Sequence, residues 1–297
     1  MITPIKKEQS IYRSCVLAHI SLSVWSGRKQ HPQSAQDLGG SIQSQLKTGV
    51  FQKQIFTGIQ EFDAIKRISG KIRNWHHEQT LPWSESGERL LPLESLHSYE
   101  KEYSDFAQEF EDTVNTFLDF YPKLISTQKK NLGALFAAQD YPDVSEVLSK
   151  FNSKCTFSPL IDPESWQLNV ADSALRKFQH QYRELCEGRV KEAIDDLWLR
   201  LQMCLVHMTD RLADSSTGER KIFRDSLVAN AVKLCHLSKY LNITADKKFE
   251  TARKTLDEII STVDIQNLRT NSVARKQLRS KLSKLLENHI GIRSSGG

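Results

Sequence analysis

The residue types that carry chemistry occur in this chain as short, isolated groups. His76-His77-Glu78 sets two imidazoles and a carboxylate in succession. Adjacent histidines on a helix point about 100° apart, so they cannot close on one ion as an i, i+4 pair does. The triplet reads as a solvated helix end. Glu94-Ser-Leu-His97 has the Glu-x-x-His spacing of di-iron bundles, but that centre takes two such motifs and two further glutamates on facing helices. Asp195-Asp196 and the Glu184/Glu187 pair fall where helical carboxylates make solvated ion pairs. General acid–base work needs a cleft and a shifted pKa as well.

Ser26-Gly27-Arg28-Lys29 joins one glycine to two bases. A phosphate-gripping loop takes several glycines ahead of a lysine at a helix start, so the stretch reads as a strand end, a glycine turn and a basic loop. Arg28 and Lys29 are candidate surface contacts there. No Gly-x-Ser-x-Gly, His-Glu-x-x-His, Walker or dinucleotide fingerprint is present. The five cysteines (Cys15, Cys155, Cys186, Cys204, Cys235) are odd in number, with no Cys-x-x-Cys, which fits buried reduced thiols. The residues therefore name no catalytic group, no metal ligand set and no cofactor, and the expectation is a protein that is not an enzyme.

Charge is the more informative signal. The net charge is +5, and residues 265–297 alone carry seven bases against Glu287. Between Glu94 and Asp119 the sign reverses, with eight acids against Lys101. Polarity of this kind speaks to partners rather than to fold. Arg275, Lys276, Arg279, Lys281 and Lys284 sit on a helix with Leu278, Leu282, Leu285 and Leu286. Two roles fit: the wet face of a helix packed on a bundle or a protein partner, or a phosphate grip with a steep salt dependence. The helix lacks interleaved aromatics, which disfavours stacking on single strands.

The elements that must carry these groups are mostly helices. All eight prolines lie at or before Pro163, leaving 134 residues free for uninterrupted helix. Apolar residues from Leu175 to Leu212 keep three-and-four steps, which predicts one helix from Asp172 or Ser173 to the stop at "DSSTG". It would be about 60 Å long and coiled-coil-like. Stripes at 223–241 and 249–263 predict two more, the first ending at Asn242 and the second capped by Thr244. A seam from Phe51 to His76 and an aromatic stripe from Leu96 to Tyr121 predict helices earlier on, with "TLPWSESGERLLPLESL" as the loop between them. "YPKLI" and "YPDVS" read as first turns of helices. Alternation predicts strands only at 16–24 and across 155–170, where "CTFSP" and "WQLNV" flank a turn.

At "NTFLDFYPKLISTQKKNLGALFAAQDYPDVSEVLSKFNSKCTFSPL" the sequence resembles an uncharacterised bacterial and phage family of unknown function. The matching features are Tyr121-Pro122, Leu132-Gly133, Asp140-Tyr141-Pro142, Phe151 and a short strand reaching Pro159, with "SVWSGRK" and "FRDSLVANAVKL" on either side. Members are often encoded near MoxR- or CobS-like AAA+ ATPases on phages and mobile elements. The resemblance spans most of Val16 to Asn242 and implies a helical accessory of such an ATPase, acting as adaptor, substrate or scaffold.

The expected fold is thus mainly α, an elongated helical bundle with long coiled-coil-like helices and a small β-sheet or hairpin. Three regions are expected: 1–171, helical with a small β element; 172–264, a long-helix bundle; and 265–297, a basic helix and tail. No apolar run approaches the ~20 residues of a membrane span, and no signal peptide is evident, so the expected location is the cytoplasm, that of the host if phage-encoded. The expected role is a non-catalytic interaction or scaffold protein with a protein partner, able to form homo-oligomers. The alternative is a nucleic-acid-binding protein of phage replication or recombination.

Overall fold

The structure, a computed structural model, describes residues 11–30, 52–56, 58–133, 136–213 and 224–289. It is mostly helical with a small four-stranded antiparallel sheet. The chain divides into two compact units that interleave in sequence. One takes Met1–His19, His77–Tyr99 and Thr156–Gly297; the other takes Ile20–His76 and Glu100–Cys155. The divisions expected at 171 and 264 therefore do not separate the units, because the first unit is completed by segments distant in sequence.

The first described elements are α1 (Ile11–Ser14), β1 (Cys15–Ser23), β2 (Arg28–Gln30) and β3 (Gln52–Gln54). Next come α2 (Gln60–Gln79), β4 (Leu81–Pro82), β5 (Arg89–Pro92) and α3 (Leu93–Leu132). After α4 (Val144–Leu148) and β6 (Asn152–Pro159) the chain is helical: α5 (Asp172–Leu212), α6 (Asp225–Leu241), α7 (Lys247–Ser261), α8 (Ile265–Thr270) and α9 (Ser272–His289). The sheet runs β4-β5-β1-β6, with Cys15 opposite Pro92 and Leu81 opposite Leu90. A separate two-stranded pair joins β2 to β3, Arg28 opposite Gln54.

In the unit holding the C-terminal helices, α9 packs on α5 and α7, and α6 packs on both as well. Leu197, Leu201, Leu205, Leu256, Leu282 and Leu285 are buried in its core. Asp246 caps α7, its Oδ1 accepting from the backbone N–H of Lys248 and Phe249, while Oδ2 accepts from Trp198 Nε1 at 3.2 Å. One carboxylate thus ends a helix and ties it to α5. In the other unit the core is aromatic. Phe56 lies 5.2–5.8 Å, centroid to centroid, from Phe62, Trp25, Phe117, Tyr121 and Tyr141. Trp75 Nε1 donates to Glu102 at 2.6 Å, linking α2 to α3.

Several local expectations are corrected. Pro122 lies inside α3, not in a first turn. It withholds the N–H that the Leu118 carbonyl would accept, and the buried Tyr121 beside it donates to the Pro142 carbonyl at 2.9 Å. The two Tyr-Pro stretches therefore touch. Helix α2 begins at Gln60, after Gly58 at φ +71°, rather than on the seam at Ile55; Phe51 lies outside the described residues. The expected loop at 80–92 holds the β4–β5 hairpin. "WQLNV" is no strand, and a short 3-10 turn, Pro163–Ser165, precedes it. The cap before α7 is Asp246, not Thr244, and the left-handed residue is Ala245 at φ +50°, not Asn242. Ala171 stands at the N-cap of α5 without a side-chain cap bond, so neither Asp172 nor Ser173 caps it. The stop expected at "DSSTG" lies outside the described residues.

Candidate interaction surfaces

Helix α9 positions the basic residues singled out in the sequence. Leu278, Leu282 and Leu285 are buried, and the three-and-four spacing that buries them takes Arg275 inward too. Arg275 is 3% exposed, and its Nη2 donates to the Arg211 carbonyl at 2.7 Å. That carbonyl belongs to the last turn of α5, where intrahelical donors have run out. Arg275 is therefore a cap on another helix, not a surface contact. Lys276, Arg279, Lys281 and Lys284 are exposed on the remaining arc. Among the described residues none of these four has a carboxylate within ion-pair distance. Arg269, by contrast, is paired with Asp225.

Arg28 and Lys29 belong to the other unit, Ile20–His76 plus Glu100–Cys155. They lie in β2, Arg28 exposed and Lys29 half-buried. Gly27 precedes them at φ +62°, and a Cβ there would stand 3.0 Å from Phe62 Cζ. Its freedom serves a turn pressed against the aromatic core rather than a phosphate. A shallow depression beside this turn is lined by Trp25, Ser26, Arg28, Gln54, Phe56 and Lys66. Lys66 is held by Asp63 at 3.2 Å and stands over the Phe62 ring. Another depression on α3 is lined by Asp105, Gln108, Glu109, Asp112, Thr113 and Thr116. Lys71 of α2 reaches Glu109 at 2.9 Å, so part of that acidity is answered within the unit.

Sequence reasoning missed a pair of arginines at the end of α2. Arg200 donates to the Glu78 carbonyl at 3.0 Å and the Thr80 carbonyl at 2.7 Å, and pairs with Asp196 at 2.8 Å. Arg89 donates to Thr80 Oγ1 at 2.7 Å and to the same carbonyl at 3.2 Å. Two cations converge on the negative end of a helix, where they are favoured. Burial pushes the Arg89 guanidinium down to about 10, and the Arg200 charge adds to the fall. Burial, then Arg89 and Arg200, likewise hold His77 below the ordinary imidazole value. Glu78 is tied to Lys233 at 2.6 Å, and His76 is buried. The His76-His77-Glu78 triplet is thus split between core, surface and an ion pair. Arg89 and Arg200 lie 9 and 120 residues from Thr80, so no local spacing announces the cluster.

The other chemical candidates do not converge either. Glu94 and His97 are exposed on the first turns of α3. Among the described residues no group of three or more His, Cys, Asp or Glu could hold a metal ion. Burial raises the Cys15 and Cys204 thiols to about 11 and that of Cys235 to about 12. They are protonated at neutral pH and poor nucleophiles. Among the described residues no helix is long and apolar enough to cross a membrane.

A second unforeseen surface runs along α5. Its core face carries Val190, Ala193, Leu197, Leu201, Leu205 and Met208, all buried. The opposite face exposes Phe178, Leu185, Leu199, Met203 and Val206, between 43% and 63% accessible. The stripe read from sequence as one face therefore mixed two: Phe178 and Leu185 belong to the outer one. No protein-family model, curated protein or solved structure matches the chain.

Proposed function

We propose that this chain is a non-catalytic helical interaction protein that docks an acidic surface of a protein partner through α9. The observation that carries this reading is the outward face of that helix. Lys276, Arg279, Lys281 and Lys284 are exposed without ion-pair partners among the described residues, on a helix anchored by three buried leucines and by Arg275. The helix that carries these cations is anchored, so docking orders their side chains but not the backbone beneath them, and the complementary charge sets partner choice and encounter rate. The resemblance to a mobile-element family encoded beside MoxR-like ATPases supports testing such an ATPase first as the partner, and a host-cytoplasmic location is part of the same proposal. The 40-residue α3 and 41-residue α5 support coiled-coil-like scaffolding.

The test is retention of a purified MoxR-like ATPase by the wild-type chain and by the K276E/R279E/K281E/K284E variant. Retention by the wild type and its loss in the variant is expected. Equal retention by both would remove α9 from the interface, and no retention by either would remove this partner.

A second reading, nucleic-acid binding, is favoured by the same unanswered charges. Four phosphate contacts on duplex DNA would give log K against log salt a slope of about −4. No gel retardation at low salt, where such binding is strongest, would eliminate it.

A further inference from the structure

The β2–β3 ribbon stands apart from the four-stranded sheet. Its strands read Arg28-Lys29-Gln30 and Gln52-Lys53-Gln54, paired Arg28 to Gln54, Lys29 to Lys53 and Gln30 to Gln52. None of the six is apolar or acidic. A two-stranded pair without an apolar face is marginal in water, so its support comes from its foot. There Trp25, Ile55 and Phe56 are buried, and Ile55 donates its backbone N–H to the Gly27 carbonyl at 2.8 Å. Lys29 opposite Lys53 sets like charges across the pair, an arrangement that costs stability and that a bound polyanion relieves.

We propose that this ribbon binds duplex DNA, lying in the major groove with Arg28 and Lys29 on the phosphates of its two walls. Successive residues of a strand point to opposite faces, so Arg28 and Lys29 put positive charge on both sides of the ribbon. An acidic protein surface or a lipid surface would meet one side only. The major groove, about 12 Å wide and walled by two phosphate backbones, admits a two-stranded ribbon and meets both.

The donors around the ribbon fit phosphate. Among the described residues neither Arg28 nor Lys29 has a carboxylate within ion-pair distance. The depression that Arg28 lines also presents Ser26 and Lys66, and arginine, lysine and serine are ordinary donors to phosphate oxygens. Ser26 Oγ accepts from the Arg28 backbone N–H at 3.3 Å, and a hydroxyl that accepts keeps its own hydrogen to donate. Trp25 and Phe56, the aromatic part of the lining, are only 8% and 1% exposed. Neither ring is offered to unpaired bases, which disfavours a single strand. Double-stranded RNA is disfavoured because its major groove is too deep and narrow for side chains to read. The site uses nothing of α9 and is independent of the function proposed above.

Fluorescence anisotropy over a salt series tests this, with a labelled DNA duplex of about 20 base pairs, roughly two helical turns. The wild-type chain should bind. The R28Q/K29Q variant should bind more weakly and lower the steepness of log K against log salt by about 2, one phosphate contact for each residue. The R28K/K29R variant keeps both charges and should restore the wild-type slope, which separates loss of charge from loss of fold. The K276E/R279E/K281E/K284E variant should still bind the duplex. No wild-type binding at the lowest salt, equal slopes for wild type and R28Q/K29Q, or a slope that R28K/K29R does not restore would each overturn the proposal. Duplex RNA or single-stranded DNA bound as tightly as duplex DNA would remove the groove geometry. Loss of binding confined to the K276E/R279E/K281E/K284E variant would move the site to α9.

Discussion

The two units solve the same packing problem with different side chains. Among the described residues, seven of the sixteen buried in the core of the unit Ile20–His76 plus Glu100–Cys155 are aromatic, against three of the twenty-eight in the other core. Aromatic rings bury large areas but interlock at set angles, edge to face or tilted. Leucines on long helices instead spread the burial over many interchangeable contacts. The aromatic core should therefore fail sharply at single positions, and the leucine core should yield more gradually. The leucine-based unit also carries the basic arc of α9 and the apolar stripe of α5.

The sharpest way to break this contrast is Phe56→Ala. Phe56 touches five other rings, and removing it should cost about 3–5 kcal/mol. Near-UV dichroism should fall far more than far-UV, and hydrogen exchange should rise in α2 before α9. Leu282→Ala is the counterpart in the helical core, expected at about 2–4 kcal/mol with exchange rising first in α9. Identical exchange patterns for the two variants would mean the cores do not behave separately. Gly27→Ala comes next. It forces a side chain into left-handed backbone and against Phe62, at about 2 kcal/mol by denaturant titration.

Asp246→Ala removes an N-cap at about 1 kcal/mol and should alter Trp198 emission by taking away its hydrogen-bond acceptor. The smallest effect concerns pH. The hydrogen bond from Arg253, and then its charge, hold Glu250 below the ordinary carboxylate value. A depressed carboxylate contributes stability that is complete above its unfolded value near 4.5 and is lost as pH falls through the folded one. The pair is partly exposed, so the effect should stay under about 1 kcal/mol. Glu250→Gln should lower stability near neutrality by up to that amount and flatten the profile below pH 4.5, where variant and wild type converge.

Legibility in the sequence followed how local the determining forces were. The span of α5 was readable because nothing between Asp172 and Leu212 interrupts a helix. The first strand was readable from its alternation. Pro122 was misplaced because its cost is local whereas its compensation is not: Tyr121, Phe117 and Leu124 are buried on the turns around it. The β4–β5 hairpin was hidden by prolines that edge positions tolerate. Arg275 looked like its basic neighbours until the helical phase set it beside Leu278. The outer stripe of α5 was merged with the inner one because a helix apolar on opposite sides has no single preferred face. The Arg89–Arg200 pair depends on contacts that no spacing encodes.

The interleaving of the two units bears on synthesis. The aromatic unit draws on residues only up to Cys155, so all of it has been synthesised while α5 to α9 are still unmade. The other unit must hold Ile11–His19 and His77–Tyr99 waiting until its last helix leaves the ribosome. Premature termination after Cys155 would thus leave one unit complete in sequence, with the β4–β5 hairpin bare of the helices that ordinarily cover it.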